Sequence, residues 1–183
     1  MLKIAILFSG GGSNAKALSQ TYEEITGKKP LLITNNVHSP LAEDALLIPK
    51  KNNEQDIMHL LREHQIEKVL LAGYMRILSK SFLDAFADFS KGTKNVVNIH
   101  PSYLPELKGA KAYERAWDSD RQETGITLHY VSAEVDSGEI ITQKKIPIDR
   151  SLSMNEWIEK SKKIEHKIYC AYLRELLEGA KDA

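Results

Sequence analysis

Asn98 and His100 stand two residues apart at the end of an apolar run, the spacing that puts alternate side chains on one side of a strand. Both can donate a hydrogen bond to an oxygen, Asn98 through its carboxamide and His100 through a protonated imidazole. Asp136 lies in an Asp-Ser-Gly loop between two later alternating runs, and its charge suits it to orient His100 and raise that residue's pKa. Such a trio fits attack by an amine on a carbonyl. The tetrahedral oxyanion needs donors, the attacking amine must lose a proton, and the leaving nitrogen must gain one. No Ser or Cys with an adjacent base is evident, which favours direct transfer over a covalent intermediate. Taken singly, each residue also has an ordinary explanation: a structural histidine, a turn-forming asparagine, a common loop sequence.

A second constellation follows the first apolar run. Gly10-Gly11-Gly12-Ser13-Asn14 lets backbone N–H groups approach a ligand, and the helix behind it offers its positive end to an anion. No Gly-Lys-Ser/Thr follows, so this is not a P-loop. With Ala15 it fits the loose dinucleotide pattern G-x-G-x-x-A, but the second strand ends in Asn35-Asn36, where such a site usually carries an acid for the ribose. One phosphate held by Gly12, Ser13 and Asn14 is the better reading. A tight strand-to-helix turn without a ligand is the plain alternative, and a dinucleotide-binding oxidoreductase is the rival from another class.

The elements that must position these residues alternate along the chain. Residues 3–8, 31–34, 69–72 and 95–99 are apolar runs suited to strands buried on both faces. Ser13 is the expected cap of the first helix, and Asn53 of another with Ile57, Leu60, Leu61 and His64 on one face. A further helix carries Phe82, Leu83, Ala85 and Phe86, while residues 45–48 form a short apolar stretch. From Gly125 the period becomes two, over 126–131 and 140–148. Ser153 and Glu156 then form a capping box for a long final helix with Trp157, Ile158, Ile164, Ile168, Ala171 and Tyr172 as its apolar positions. The pattern predicts an α/β fold: a doubly wound, mostly parallel sheet with a C-terminal strand pair and a long final helix. Ligands bind such sheets beyond the carboxyl ends of the strands. The glycine loop, Gly73-Tyr74-Met75-Arg76 and the Asn98–Ser102 segment all fall there and should converge.

Composition bounds the partners. The 183 residues hold 42% hydrophobic and 27% charged side chains, ordinary for one globular domain spanning 1–183. Lys plus Arg and Asp plus Glu are 25 each, so no basic field draws nucleic acid. Cys170 is the single cysteine, so no internal disulfide or thiolate cage is expected, and no metal. No apolar run approaches the roughly 20 residues of a membrane span, and the first residues lack a secretory signal. A soluble, cytoplasmic protein with no membrane partner is expected, as a monomer or homodimer.

Five segments carry a family resemblance: Ser9-Gly10-Gly11-Gly12-Ser13-Asn14; residues 71–78; Asn98-Ile99-His100-Pro101-Ser102-Tyr103-Leu104-Pro105; residues 125–138 with Asp136; and Glu165-His166-Lys167-Ile168-Tyr169. In this order they resemble the glycinamide ribonucleotide transformylases (phosphoribosylglycinamide formyltransferases), a branch of the formyltransferases. The resemblance implies a Rossmann-like formyltransferase fold and transfer of a formyl group from 10-formyltetrahydrofolate to the amine of 5'-phosphoribosylglycinamide, in de novo purine (IMP) synthesis. It implies that Gly12, Ser13 and Asn14 bind the phosphate, and Glu165 with Lys162 the ribose. Met75, Arg76, Ile77 and Leu78 would line the folate pocket along with Asn98, and residues 133–136 would close on the pterin. Asn98 and His100 would stabilise the oxyanion, His100 as proton donor with its pKa raised by Asp136. Simpler roles stand beside these: core for Met75, Ile77 and Leu78, a surface cation for Arg76, a solvated helix face for Glu165. Thr127 and His129 match family positions with supporting or packing roles.

The chain departs from the family in a shorter segment over 36–56, extra residues over 87–95, and Cys170 where Pro is common. These changes bear on the folate pocket, where Lys50 is the candidate for the glutamate-tail carboxylates. The nearest rivals are formyltransferases acting on a nucleotide-linked amino sugar or on methionyl-tRNA. The second would need an added tRNA-binding domain, for which the chain looks too short, and a basic field it lacks. A catalytically dead binding protein is disfavoured by the complete Asn98, His100 and Asp136 set.

Overall fold

Side chains along a strand point alternately to its two faces, and the first strand, β1 (Ile4–Phe8), is buried at every position. Ile4, Ile6 and Phe8 join one apolar cluster while Ala5 and Leu7 join another. A strand that is apolar on both faces needs cover on both, and helices supply it. This is a computed structural model, which describes residues 1–48 and 54–180.

β1 leads into α1 (Ser13–Thr26), then β2 (Leu31–Thr34), a 3-10 turn at Ala42–Asp44 and β3 (Leu46–Leu47). Next come α2 (Glu54–Glu63), β4 (Lys68–Leu71), α3 (Lys80–Ser90), β5 (Val96–His100) and α4 (Ala112–Trp117). The hairpin of β6 (Glu123–Tyr130) and β7 (Ile140–Pro147) precedes the final helix, α5 (Met154–Gly179). The sheet order is β3-β2-β1-β4-β5-β6-β7. The first five strands in this order run parallel, while β6 is antiparallel to β5 and β7 to β6. α1 and α5 cover one face, where Leu18, Tyr22, Trp157, Tyr169 and Leu173 meet the even-numbered residues of β1. α2 and α3 cover the other with Ile57, Leu61, Phe82 and Phe86. None of these helices is long and apolar enough to cross a membrane, among the described residues.

Three local expectations are corrected. Gly12, not Ser13, caps α1, with the left-handed φ of 77° that glycine tolerates; Ser13 is the first helical residue. On α2, Ile57 and Leu61 are buried but His64 is exposed, lying just past the helix end; the expected cap Asn53 lies outside the described residues. On α5 the buried row is Trp157, Ser161, Glu165, Tyr169, Leu173 and Leu177, with Ile158, Ile164, Ile168 and Tyr172 flanking it and Ala171 exposed. Two polar residues on that row hide it from a search for apolar spacing. α4, six residues long, is too short to show a periodic stripe in the sequence. The capping box holds: Ser153 Oγ accepts from Glu156 N at 3.3 Å, and Glu156 Oε2 accepts from Ser153 N at 2.9 Å.

β2 and β4 lie on opposite sides of β1, so the loops after β1 and β4 part at a switch point. They are joined there, Ser9 N donating to Gly73 O at 3.1 Å and Met75 N to Ser9 Oγ at 2.9 Å. The hairpin loop folds back sharply, and a Cβ on Gly138 would lie 1.7 Å from Tyr130 O. Backbone must move to admit it. Gly138→Ala is therefore expected to cost about 3 kcal/mol of stability, read as a lowered urea midpoint.

Candidate active site

β5 ends with Asn98 and His100, and its antiparallel neighbour sets the chemistry beside them. The register places His129 opposite Asn98 and Thr127 opposite His100. His129 Nδ1 is 2.9 Å from Tyr130 O, which can only accept, so Nδ1 carries the proton. Its Nε2 meets Asn98 Nδ2 at 3.2 Å. One of the two amide hydrogens of Asn98 is spent in this way; the other remains for the cavity that Asn98 lines.

Asp136 bridges the two imidazoles. Its Oδ2 lies 3.3 Å from His100 Nδ1 and accepts from Gly109 N at 2.8 Å, while Oδ1 lies 3.6 Å from His129 Nε2. Burial pushes this carboxyl up, but His129, the Gly109 N–H and His100 together outweigh it and hold the carboxyl below its ordinary range. His100 also donates through Nε2 to Leu107 O at 2.9 Å. Here the structure corrects an expectation. Burial pulls the His100 pKa below its ordinary value; the Leu107 carbonyl and Asp136 pull upward without overcoming it, and His129 and Arg115 add to the lowering. Asp136 raises this pKa only relative to a site without it.

The loop after β5 is anchored by residues whose importance spacing alone did not reveal. Thr127 Oγ1 donates to Ser102 O at 2.7 Å and accepts from Leu104 N at 3.1 Å. Gln143 Nε2 donates to Leu104 O at 2.8 Å and to Thr127 Oγ1 at 3.0 Å. Thr127 is buried and polar, opposite Gln143 in the β6–β7 register, so the two alternating runs contained this signal. His129 is more than packing, since it holds Asn98 and faces Asp136.

A cavity of about 850 Å³ opens over these groups. Met75, Arg76, Ile77 and Leu78 form one wall, with Val135 and Asp136 among the residues of the hairpin loop facing it. Met75 and Ile77 are 80% and 67% exposed, so neither is core; Leu78 is buried and belongs to both core and wall. Arg76 is half-buried on that wall. Lys50 lies outside the described residues.

The glycine loop does not line this cavity. It adjoins it through Ser9 and through a buried chain from α1 to α5 and α4. Asn14 Nδ2 donates to Glu165 Oε2 at 2.7 Å, and the Tyr113 hydroxyl donates to Glu165 Oε1. Glu165 is buried, which removes the solvated-face explanation. Burial pushes its carboxyl up, against the pull of Tyr113, Asn14 and Lys162. Lys162 pairs with Glu159 at 2.7 Å. Ser13 is exposed at the α1 N-terminus, whereas Asn14 is buried with its Oδ1 unpartnered. Backbone N–H groups with Ser13 are thus presented for an anion, and the Asn14 amide is committed to Glu165.

The pattern of the formyl transferase family matches residues 2–173. The chain belongs to that family. A phosphoribosylglycinamide formyltransferase of Bacillus subtilis (strain 168) is 33% identical over 97% of this chain and 95% of its own. One from Haemophilus influenzae is 33% identical, over 98% and 89%. Among solved structures, the phosphoribosylglycinamide formyltransferase of Bacillus halodurans superimposes with a TM-score of 0.85 at 33% identity, over 97% of this chain and 96% of that one. The enzyme of that name from Streptococcus pneumoniae TIGR4 also gives 0.85, at 28% identity over 97% and 99%. This formyl transferase thus superimposes over nearly the whole length of both structures.

The unpartnered Asn14 Oδ1 leads to a prediction. In Glu165→Gln, a 180° turn of the Asn14 amide would let Oδ1 accept from the new amide nitrogen while Tyr113 keeps its acceptor. The native carboxyl is raised in the folded state, so the wild type loses stability as pH climbs above the ordinary carboxylate value; the glutamine variant does not. Glu165→Gln is expected to unfold within about 1 kcal/mol of wild type near pH 5 and to gain on it toward pH 8, in urea melts at both pH values.

Proposed function

We propose that the protein transfers the formyl group of 10-formyltetrahydrofolate to the amine of 5'-phosphoribosylglycinamide, a step of de novo purine synthesis, with residues 1–183 acting as one domain. Both reactants are small molecules, and a folate-type donor suits the family. The observation that carries the reading is the buried Asp136 carboxylate touching His100, beside Asn98, at the floor of a cavity with an exposed apolar wall. Met75, Ile77 and Leu78 offer a flat heterocycle an apolar face, and Asn98 and Arg76 supply polar contacts. Gly12 and Ser13, at the positive end of α1, hold the ribonucleotide phosphate. Glu165, fixed by Asn14 and Tyr113, and Lys162 face its ribose.

In this reading the amine nitrogen bonds to the formyl carbon, and the second amide hydrogen of Asn98 meets the oxygen as it becomes an oxyanion. With Nδ1–H turned to Asp136, His100 relays through Nε2 the proton that the attacking amine sheds, passing it to the departing folate nitrogen. It reaches the reacting atoms by exchanging Leu107 O for them. Asp136 stabilises the transient imidazolium. The bond to the folate nitrogen breaks as the new C–N bond is completed, so no charge or proton is left over.

The test is an assay with 10-formyltetrahydrofolate and two amines, the glycinamide ribonucleotide and an amino-sugar nucleotide. Formylation of the ribonucleotide alone is expected; formylation of the amino sugar alone would overturn the reading. Asn98→Ala is expected to lower kcat about 100- to 1000-fold while ribonucleotide affinity, by calorimetry, stays at its wild-type value.

A further inference from the structure

Residues 107–109 meet both halves of the catalytic pair: Leu107 O accepts from His100, and Gly109 N donates to Asp136. Lys108, between them, reaches across the cleft. Its ammonium donates to Ser137 Oγ and lies 3.5 Å from the Glu134 carboxylate, both on the loop that carries Asp136. Ser137 spends its own hydrogen on Val135 O at 3.1 Å, leaving its oxygen free to accept. The Lys108 backbone is pinned from α4, where Arg115 Nη1 donates to Lys108 O at 2.7 Å. Leu107 and Asp136 both have left-handed backbones, with φ of 52° and 49°. Such conformations persist only where surrounding contacts impose them.

Building on the formyl transfer reading, we propose that Lys108 is a positioning residue, a clasp that ties the loop after β5 to the hairpin loop and so keeps Asp136 in register with His100. Lys108 does not line the cavity, so it acts through Asp136 rather than on a reactant. A clasp holds one wall of the donor cavity, Glu134 to Asp136, and leaves the glycine loop untouched. Its loss should be felt by the folate and not by the ribonucleotide.

Lys108→Met is expected to raise the KM for 10-formyltetrahydrofolate about five-fold, the size of a partly exposed charge pair, and to lower kcat. The ribonucleotide KM should hold. Lys108→Arg, which can reach the same two acceptors, should restore the donor KM. Hydrogen exchange at the Gly109 amide, read in the free protein, should quicken in Lys108→Met and not in Lys108→Arg. Wild-type donor KM and Gly109 exchange in Lys108→Met, or an equal rise in both KM values, would overturn the clasp. The exchange readout needs no turnover, so inactivity of the wild type toward the ribonucleotide would count against the reaction alone.

Discussion

A carboxylate taken out of water costs several kcal/mol unless donors replace its hydration, and Asp136 is the carboxylate around which this site is arranged. It gathers a backbone N–H from one loop and an imidazole from each of two adjacent strands. These contacts also fix the geometry. His100 is aligned between Asp136 and Leu107 O, and His129 is placed where it holds the Asn98 amide. The left-handed backbone at Asp136 is the local cost of bringing its side chain to that point. Removing the charge would leave His100, already lowered by burial, with less reason to accept a proton during turnover.

The parallel sheet explains why these groups meet. Loops at the carboxyl ends of β1, β4 and β5 come together at the switch point, the usual place for ligands in such sheets. The parallel half supplies Asn98, His100 and the 73–78 wall. The antiparallel hairpin supplies what β5 lacks: His129 beside Asn98, Thr127 and Gln143 to anchor the loop after β5, and Asp136 from the connection between its strands. The two kinds of strand pairing therefore divide the labour, one building the ligand-facing edge and the other orienting it.

Much of this could be read in the chain. Strands hidden on both faces appear as continuous apolar runs, so β1, β2, β4 and β5 were visible within a residue or so, as were the alternating hairpin and the capping box of α5. Asn98, His100 and Asp136 stood out by type and place, and the contact between the last two exists. Less visible were features that depend on what lies across a gap. The α5 row is broken by Ser161 and Glu165, whose burial makes sense only with Asn14 and Tyr113 opposite. The direction of the His100 pKa depends on depth of burial, which spacing does not encode. Likewise, nothing in Lys108 or Ser137 alone indicates that they face one another.

The central claim is that Asp136, ionised and buried, touches His100, whose pKa burial has lowered. The direct measurement is an NMR pH titration of ring-labelled histidines in the free protein, comparing the wild type with Asp136→Asn. The account predicts a His100 midpoint below the ordinary histidine value in the wild type and a lower one in the variant, because the one nearby charge that favours the imidazolium is gone. A His100 midpoint at or above the ordinary value, unmoved by the substitution, would contradict it.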